Sequence, residues 1–132
     1  MLALLASVAG LAISVYLTVV HFSTIPLACP ANAIVNCEQV LTSRYAVIAG
    51  SALPTSAAGI VWFTISGGLA LFRRRRALLA WASIGLVTAL FLVYVEIVQL
   101  GAVCIWCTAA HAMVLLIFLI ALMRAEVDRV GT

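Results

Sequence analysis

The sequence predicts an all-α membrane protein, a bundle of four transmembrane helices with a short amphipathic surface helix in the first outer loop. Three observations predict it. Of the 132 residues, 67% are hydrophobic and 8% charged, whereas soluble domains run about half apolar and about a quarter charged. Four apolar stretches each reach the ~20 residues that a helix rising ~1.5 Å per residue needs to span a bilayer. The seven cationic side chains are all arginine, and four are consecutive, Arg73–Arg76. That run lies between two apolar stretches, so it marks the cytoplasmic side of a membrane rather than a nucleic-acid site.

The first segment, Met1–Phe22, has no Asp, Glu, Lys or Arg. A signal peptide is the alternative, with Ala31-Asn32-Ala33 as a cleavage-like site. Yet no basic residue precedes the run, and it is longer than an h-region of about 7–15 residues. It also repeats small residues every fourth position, Ala6, Gly10, Ser14 and Thr18, a stripe that lets another helix approach closely. Leu53–Phe72, Ala77–Leu100 and Cys104–Met123 follow as the other spans, with Glu96 as their one Asp, Glu, Lys or Arg and His111 as their one histidine. Their short connections make neighbours antiparallel. The whole chain, 1–132, is expected to form one membrane domain.

Arg73–Arg76 follows the second segment, and Arg124 and Arg129 follow the fourth. Both termini are therefore expected in the cytoplasm. Cys29, Cys37, Cys104 and Cys107 then all fall on the non-cytoplasmic face, where disulfides form and persist.

The outer loop, residues 23–52, cannot build a core of its own and is expected to pack on the mouth of the bundle. Its start, Thr24 to Pro30, contains two prolines and should be extended or turning. Asn36 is a candidate N-cap. Cys37, Val40, Leu41, Tyr45 and Ile48 then share one helical face, which predicts a surface helix; an irregular loop is the alternative. Gly50 and Pro54 close the segment. The Cys29/Cys37 pair is compatible with a structural disulfide, if the Cα atoms come within about 4.4–6.8 Å. With a second pair on the same face, a relay by thiol–disulfide exchange becomes the sharper expectation.

Cys104-Ile105-Trp106-Cys107 opens the last segment. At a helix start, Cys104 meets the positive end of the dipole and unsatisfied N–H groups, both of which favour a thiolate. Cys107 lies one turn deeper on the same face and needs an electrophile beside it, which a bound quinone would supply. His111 continues that face. It is either a histidine bonded within the core or a hydrogen-bond partner for a quinone oxygen. Glu96, about one turn from the outer end of the third span, either faces a polar cavity or snorkels outward. Tyr94, Trp62 and Trp106 are expected to be packing and interfacial aromatics.

Together these residues resemble the vitamin K epoxide reductase family, specifically its prokaryotic disulfide-generating homologues. The resemblance rests on Cys29 and Cys37, the run Cys37-Glu38-Gln39-Val40-Leu41-Thr42-Ser43-Arg44-Tyr45-Ala46, the Gly50…Pro54…Gly59 entry into the second span, and Cys104-Ile105-Trp106-Cys107. It implies a thiol-oxidising quinone reductase. Cys104 and Cys107 would match the active-site pair, with Cys107 nearest the quinone. Cys29 and Cys37 would match the shuttle pair, which takes electrons from a thioredoxin-like protein. Ser43 would match the serine that supports the active-site region. His111 stands where the animal enzymes carry a tyrosine. The resemblance further implies a separate thioredoxin-like partner on the outer face, a membrane quinone (ubiquinone, menaquinone or vitamin K type), and a prokaryotic plasma membrane.

Three rivals are weighed against it. The DsbB-type quinone reductases carry their C-x-x-C in the first outer loop, the reverse of the order here. A four-thiolate zinc site needs free thiols on an oxidising face, and C-x7-C is a poor partner for a C-x-x-C; no metal is expected. A scaffold with structural disulfides would resist exchange.

Overall fold

The computed structural model describes residues 1–23 and 25–131. Thr24, at the start of the stretch expected to be extended, lies outside them, as does Thr132. The described residues form helices and connections, with two isolated β-bridges. The helices are α1 (Leu2–Phe22), α2 (Cys37–Leu41), α3 (Thr55–Leu71), α4 (Arg75–Tyr94) and α5 (Ile105–Val130); α4 runs on as a π-helical segment, Val95–Leu100. α1, α4 with its π continuation, and α5 are long and apolar enough to cross a membrane. α3 is equally apolar but has 17 residues.

α1 packs on α3 and α5, and α4 packs on α5. The interior mixes small residues, Ala3, Ala6, Ala82, Ala89 and Ala121, with Phe63, Leu78, Val114, Ile117 and Ile120. Leu5, Val8, Val15, Val87, Leu90 and Phe91 point outward. In lipid an outward leucine costs nothing, so close packing rather than burial of bulk decides which face turns inward. Hydroxyls in the apolar helices are satisfied locally: Ser7 donates to the Ala3 carbonyl at 2.8 Å and Ser66 to that of Trp62 at 2.8 Å.

The small-residue stripe of α1 makes the α1/α3 contact. A Cβ on Gly10 would stand 2.2 Å from the Phe63 ring, and one on Gly59 would stand 2.7 Å from the Ser14 hydroxyl. One turn further, Thr18 donates to Ser56 at 2.9 Å. Gly10→Val is therefore expected to destabilise the bundle by about 1–3 kcal/mol through overpacking. Unfolding in detergent micelles measures it, and a wild-type transition would contradict this packing.

Several boundaries differ from the sequence expectation. α5 runs to Val130, beyond Met123, because loss of hydropathy ends the membrane but not the helix; its last turns are held by ion pairs from Arg129 to Glu126 and from Arg75 to Asp128. α4 begins among the arginines at Arg75, after a turn in which Arg73 takes a left-handed φ of 55°. The helix begun at Asn36 is real but short. Asn36 caps it by accepting from Gln39 N at 3.0 Å. After Leu41 the Thr42 and Ser43 hydroxyls bond to the Glu38 and Val40 carbonyls, and Ala46 N turns back to Ser43 O. Such side-chain bonds compete with helix propagation, so Tyr45 and Ile48 are not helical. Gly50 at φ 77° and the Val47–Pro54 bridge then lead into α3.

Candidate active site

The π segment ends at Gly101, whose φ of 61° and ψ of 21° turn the chain toward α5. The next two residues meet the outer loop. Val103 N donates to Ile34 O at 2.9 Å and Asn36 N to Val103 O at 3.1 Å, a parallel bridge between Val35 and Val103. Gln39 Nε2 reaches Leu100 O at 3.1 Å. On the other side of the loop, Trp106 Nε1 donates to Ala28 O at 2.8 Å and Ala28 N to the Tyr16 hydroxyl at 3.2 Å. The Tyr16 and Trp106 rings lie 5.0 Å apart. The chain is thus fastened to the α5 entrance just before Cys29 and just before Cys37.

These two residues form a disulfide with Cα atoms 6.3 Å apart, while Cys104 and Cys107 are thiols. All four cysteines belong to one apolar cluster with Val40, Ala102, Leu27 and Trp106. Within it Cys37 and Cys104 are fully buried and Cys29 and Cys107 partly so.

Cys104 is the N-cap of α5. Its Sγ accepts from Cys107 N at 3.3 Å, taking the place that an N-cap oxygen usually holds. Its own N–H donates to Glu96 Oε2 at 3.1 Å. Hydrogen bonding from Cys107 holds the Cys104 thiol below the ordinary cysteine range, against burial and the nearby Glu96 charge, which push it up.

Beneath the cluster lies a largely apolar cavity of about 330 Å³, at the small end of ligand sites. Cys107, His111, Ser43 and Glu96 all line it. Ser43 spends its proton on Val40 O at 2.7 Å, so it fixes the end of α2 over the cavity. Among the described residues, His111 Nδ1 and Trp62 Nε1 are buried without a hydrogen-bond partner, and both residues line this cavity. Trp62 also packs against Gly85 and stacks on Trp81.

The model of the vitamin K epoxide reductase family matches residues 1–122. The chain belongs to this family. No curated protein matches it. Membership in the vitamin K epoxide reductase family makes the chain an oxidoreductase, and its long apolar helices make it a membrane protein. Three features of this family member escape a linear inspection. Tyr16 and Trp106 act as the latch for the loop; the only signal was a polar tip on each aromatic inside an apolar run. Trp62, counted above among the packing aromatics, also lines the cavity, with its indole N–H buried and unpartnered. Glu96 meets the backbone of Cys104, a contact set by the π segment.

Proposed function

We propose that this member of the vitamin K epoxide reductase family is a quinone reductase that oxidises protein dithiols across a relay of its two cysteine pairs. The observation that carries the proposal concerns Cys107: it packs in the four-cysteine cluster and is also the cysteine that lines the cavity. An electron path from loop to ligand has to pass through such a residue.

A dithiol of a thioredoxin-like protein attacks the Cys29–Cys37 disulfide, and Cys29, the more exposed sulfur, is the point of entry. Exchange leaves the partner oxidised and Cys29 and Cys37 as thiols. Cys37, buried with Cys104, then attacks Cys104 of an oxidised Cys104–Cys107 pair. A Cys37–Cys104 disulfide forms, Cys107 leaves as a thiol, and Cys29 resolves the mixed disulfide. The loop pair is oxidised again, and Cys104 and Cys107 carry two electrons and two protons. That is the redox pattern of the described structure.

A quinone in the cavity is the two-electron, two-proton acceptor that returns the pair to a disulfide. The residues present fit it. The walls are apolar, Cys107 supplies sulfur, and the two unpartnered nitrogens of His111 and Trp62 suit carbonyl oxygens, since indole N–H is a donor only and His Nδ1 is one in the appropriate tautomer. Trp62→Phe and His111→Phe are each expected to raise KM for a short-chain quinone by about 3- to 10-fold, the value of one neutral hydrogen bond; an unchanged KM in both would remove these contacts.

In the membrane, α3 makes the fourth crossing. Its 17 residues span roughly 25 Å, near the lower limit for a spanning helix. Arg73–Arg76, Arg124 and Arg129 mark the cytoplasmic side and the cysteines the outer face of a prokaryotic plasma membrane. The Cys29–Cys37 disulfide leaves two thiols, which favours redox chemistry over a four-thiolate zinc site. The direct test is purified protein with a reduced thioredoxin-like protein and a soluble quinone. One hydroquinone per dithiol consumed is expected; no quinone-dependent loss of dithiol would end the proposal.

A further inference from the structure

Oxidation of the Cys104/Cys107 pair must release two protons. Both S–H bonds break, one S–S bond forms, two electrons pass to the quinone, and two protons end on the hydroquinone oxygens. Cys107 lines the cavity and can give its proton there. Cys104 is fully buried and does not line the cavity, so its proton needs a carrier.

Glu96 stands between the two. Among the described residues it is the one buried acidic side chain, at 5% exposure. A carboxyl inside a membrane bundle is costly to keep, and the two ion pairs of Arg75 and Arg129 use other acids. Its Oε2 accepts from Cys104 N at 3.1 Å, and the same residue lines the cavity with Cys107 and His111. It sits on the π-helical segment, a distortion that often marks functional sites.

We propose that Glu96 carries the Cys104 proton to the cavity. The carboxylate takes the proton from Cys104 Sγ as the Cys104–Cys107 bond forms. The resulting acid gives it up on the cavity side, where a hydroquinone oxygen receives it, and Glu96 returns to its starting state. This rests on the quinone-reductase reading, and it adds a residue whose function is proton transfer rather than exchange of electrons.

A purely structural Glu96 would only hold the Cys104 N–H, and a glutamine amide oxygen can do the same. Glu96→Gln therefore separates the two roles. Reduction of a soluble quinone, driven by dithiothreitol, should fall by about 100-fold or more in this variant, the range of general acid–base catalysis. Its unfolding temperature in detergent should match wild type. In Glu96→Ala, added formate should restore part of the rate. A second readout needs no quinone: infrared difference spectra between the dithiol and disulfide states, set with thiol buffers. Wild type should show a change in the carbonyl stretch of a protonated carboxyl, absent in Glu96→Gln. An unchanged rate in Glu96→Gln, or no carboxyl signal in wild type, overturns the proposal. Failure of wild-type protein to reduce any quinone would instead overturn the reading beneath it, and the infrared result would still decide whether Glu96 exchanges a proton.

Discussion

Cys107→Ala is expected to lower quinone-dependent dithiol oxidation by at least about 1000-fold, the scale on which loss of a covalently reacting residue acts. Cys107 joins the cysteine cluster to the cavity, and no other cysteine lines the cavity to replace it. The variant should keep the Cys29–Cys37 disulfide, because that pair is fastened by the loop contacts of Trp106, Val103 and Gln39. It should also change Cys104. The hydrogen bond from the Cys107 side chain, distinct from the backbone bond that alanine would keep, is the largest cause of the lowered Cys104 thiol; without it the thiol moves up. Alkylation of Cys104 near pH 7 should slow accordingly. Turnover within 10-fold of wild type would show that electrons reach the quinone by another path.

Cys37→Ala should separate the two halves of the relay. Oxidation of a thioredoxin-like protein should fall to background, again by at least about 1000-fold, because Cys37 is the loop cysteine fully buried in one cluster with Cys104. Dithiothreitol, which is small enough to approach the half-buried Cys107, should still drive quinone reduction within about 10-fold of wild type. The lost disulfide should cost up to about 3 kcal/mol, offset in part by the latch. Equal loss with both reductants would mean that Cys37 supports the fold and not the transfer.

The sequence carried much of this fold. Spans are legible because a bilayer demands long apolar runs, and a close helix contact on α1 was visible in the spacing of Gly10 and Ser14, though not that α3 would make it. The Asn36 cap was legible because capping is local. The end of α5 was not, since Arg124 to Val130 is a helix that merely leaves the membrane. Nor was the early end of α2, where the Ser43 and Thr42 hydroxyls outcompete an apolar periodicity that runs on to Ile48. At the site, the cysteines, His111, Ser43 and Glu96 could all be named as candidates, yet their arrangement depends on long-range bonds. Trp106 reaches Ala28 across 78 positions, and Gln39 reaches Leu100 across 61. Nothing in the run Val95–Leu100 announces a π-helical segment, so the choice between a snorkelling and an inward Glu96 needed the backbone.

In the proposed relay, electrons cross from loop to helix between Cys37 and Cys104. The most direct measurement is peptide mass spectrometry of two double variants after mild oxidation. Cys29→Ala with Cys107→Ala leaves Cys37 and Cys104 and should yield a disulfide between them in most molecules. Cys37→Ala with Cys107→Ala leaves Cys29 and Cys104 and should yield little. A trapped Cys29–Cys104 bond with free Cys37 and Cys104 in the first variant would contradict the relay.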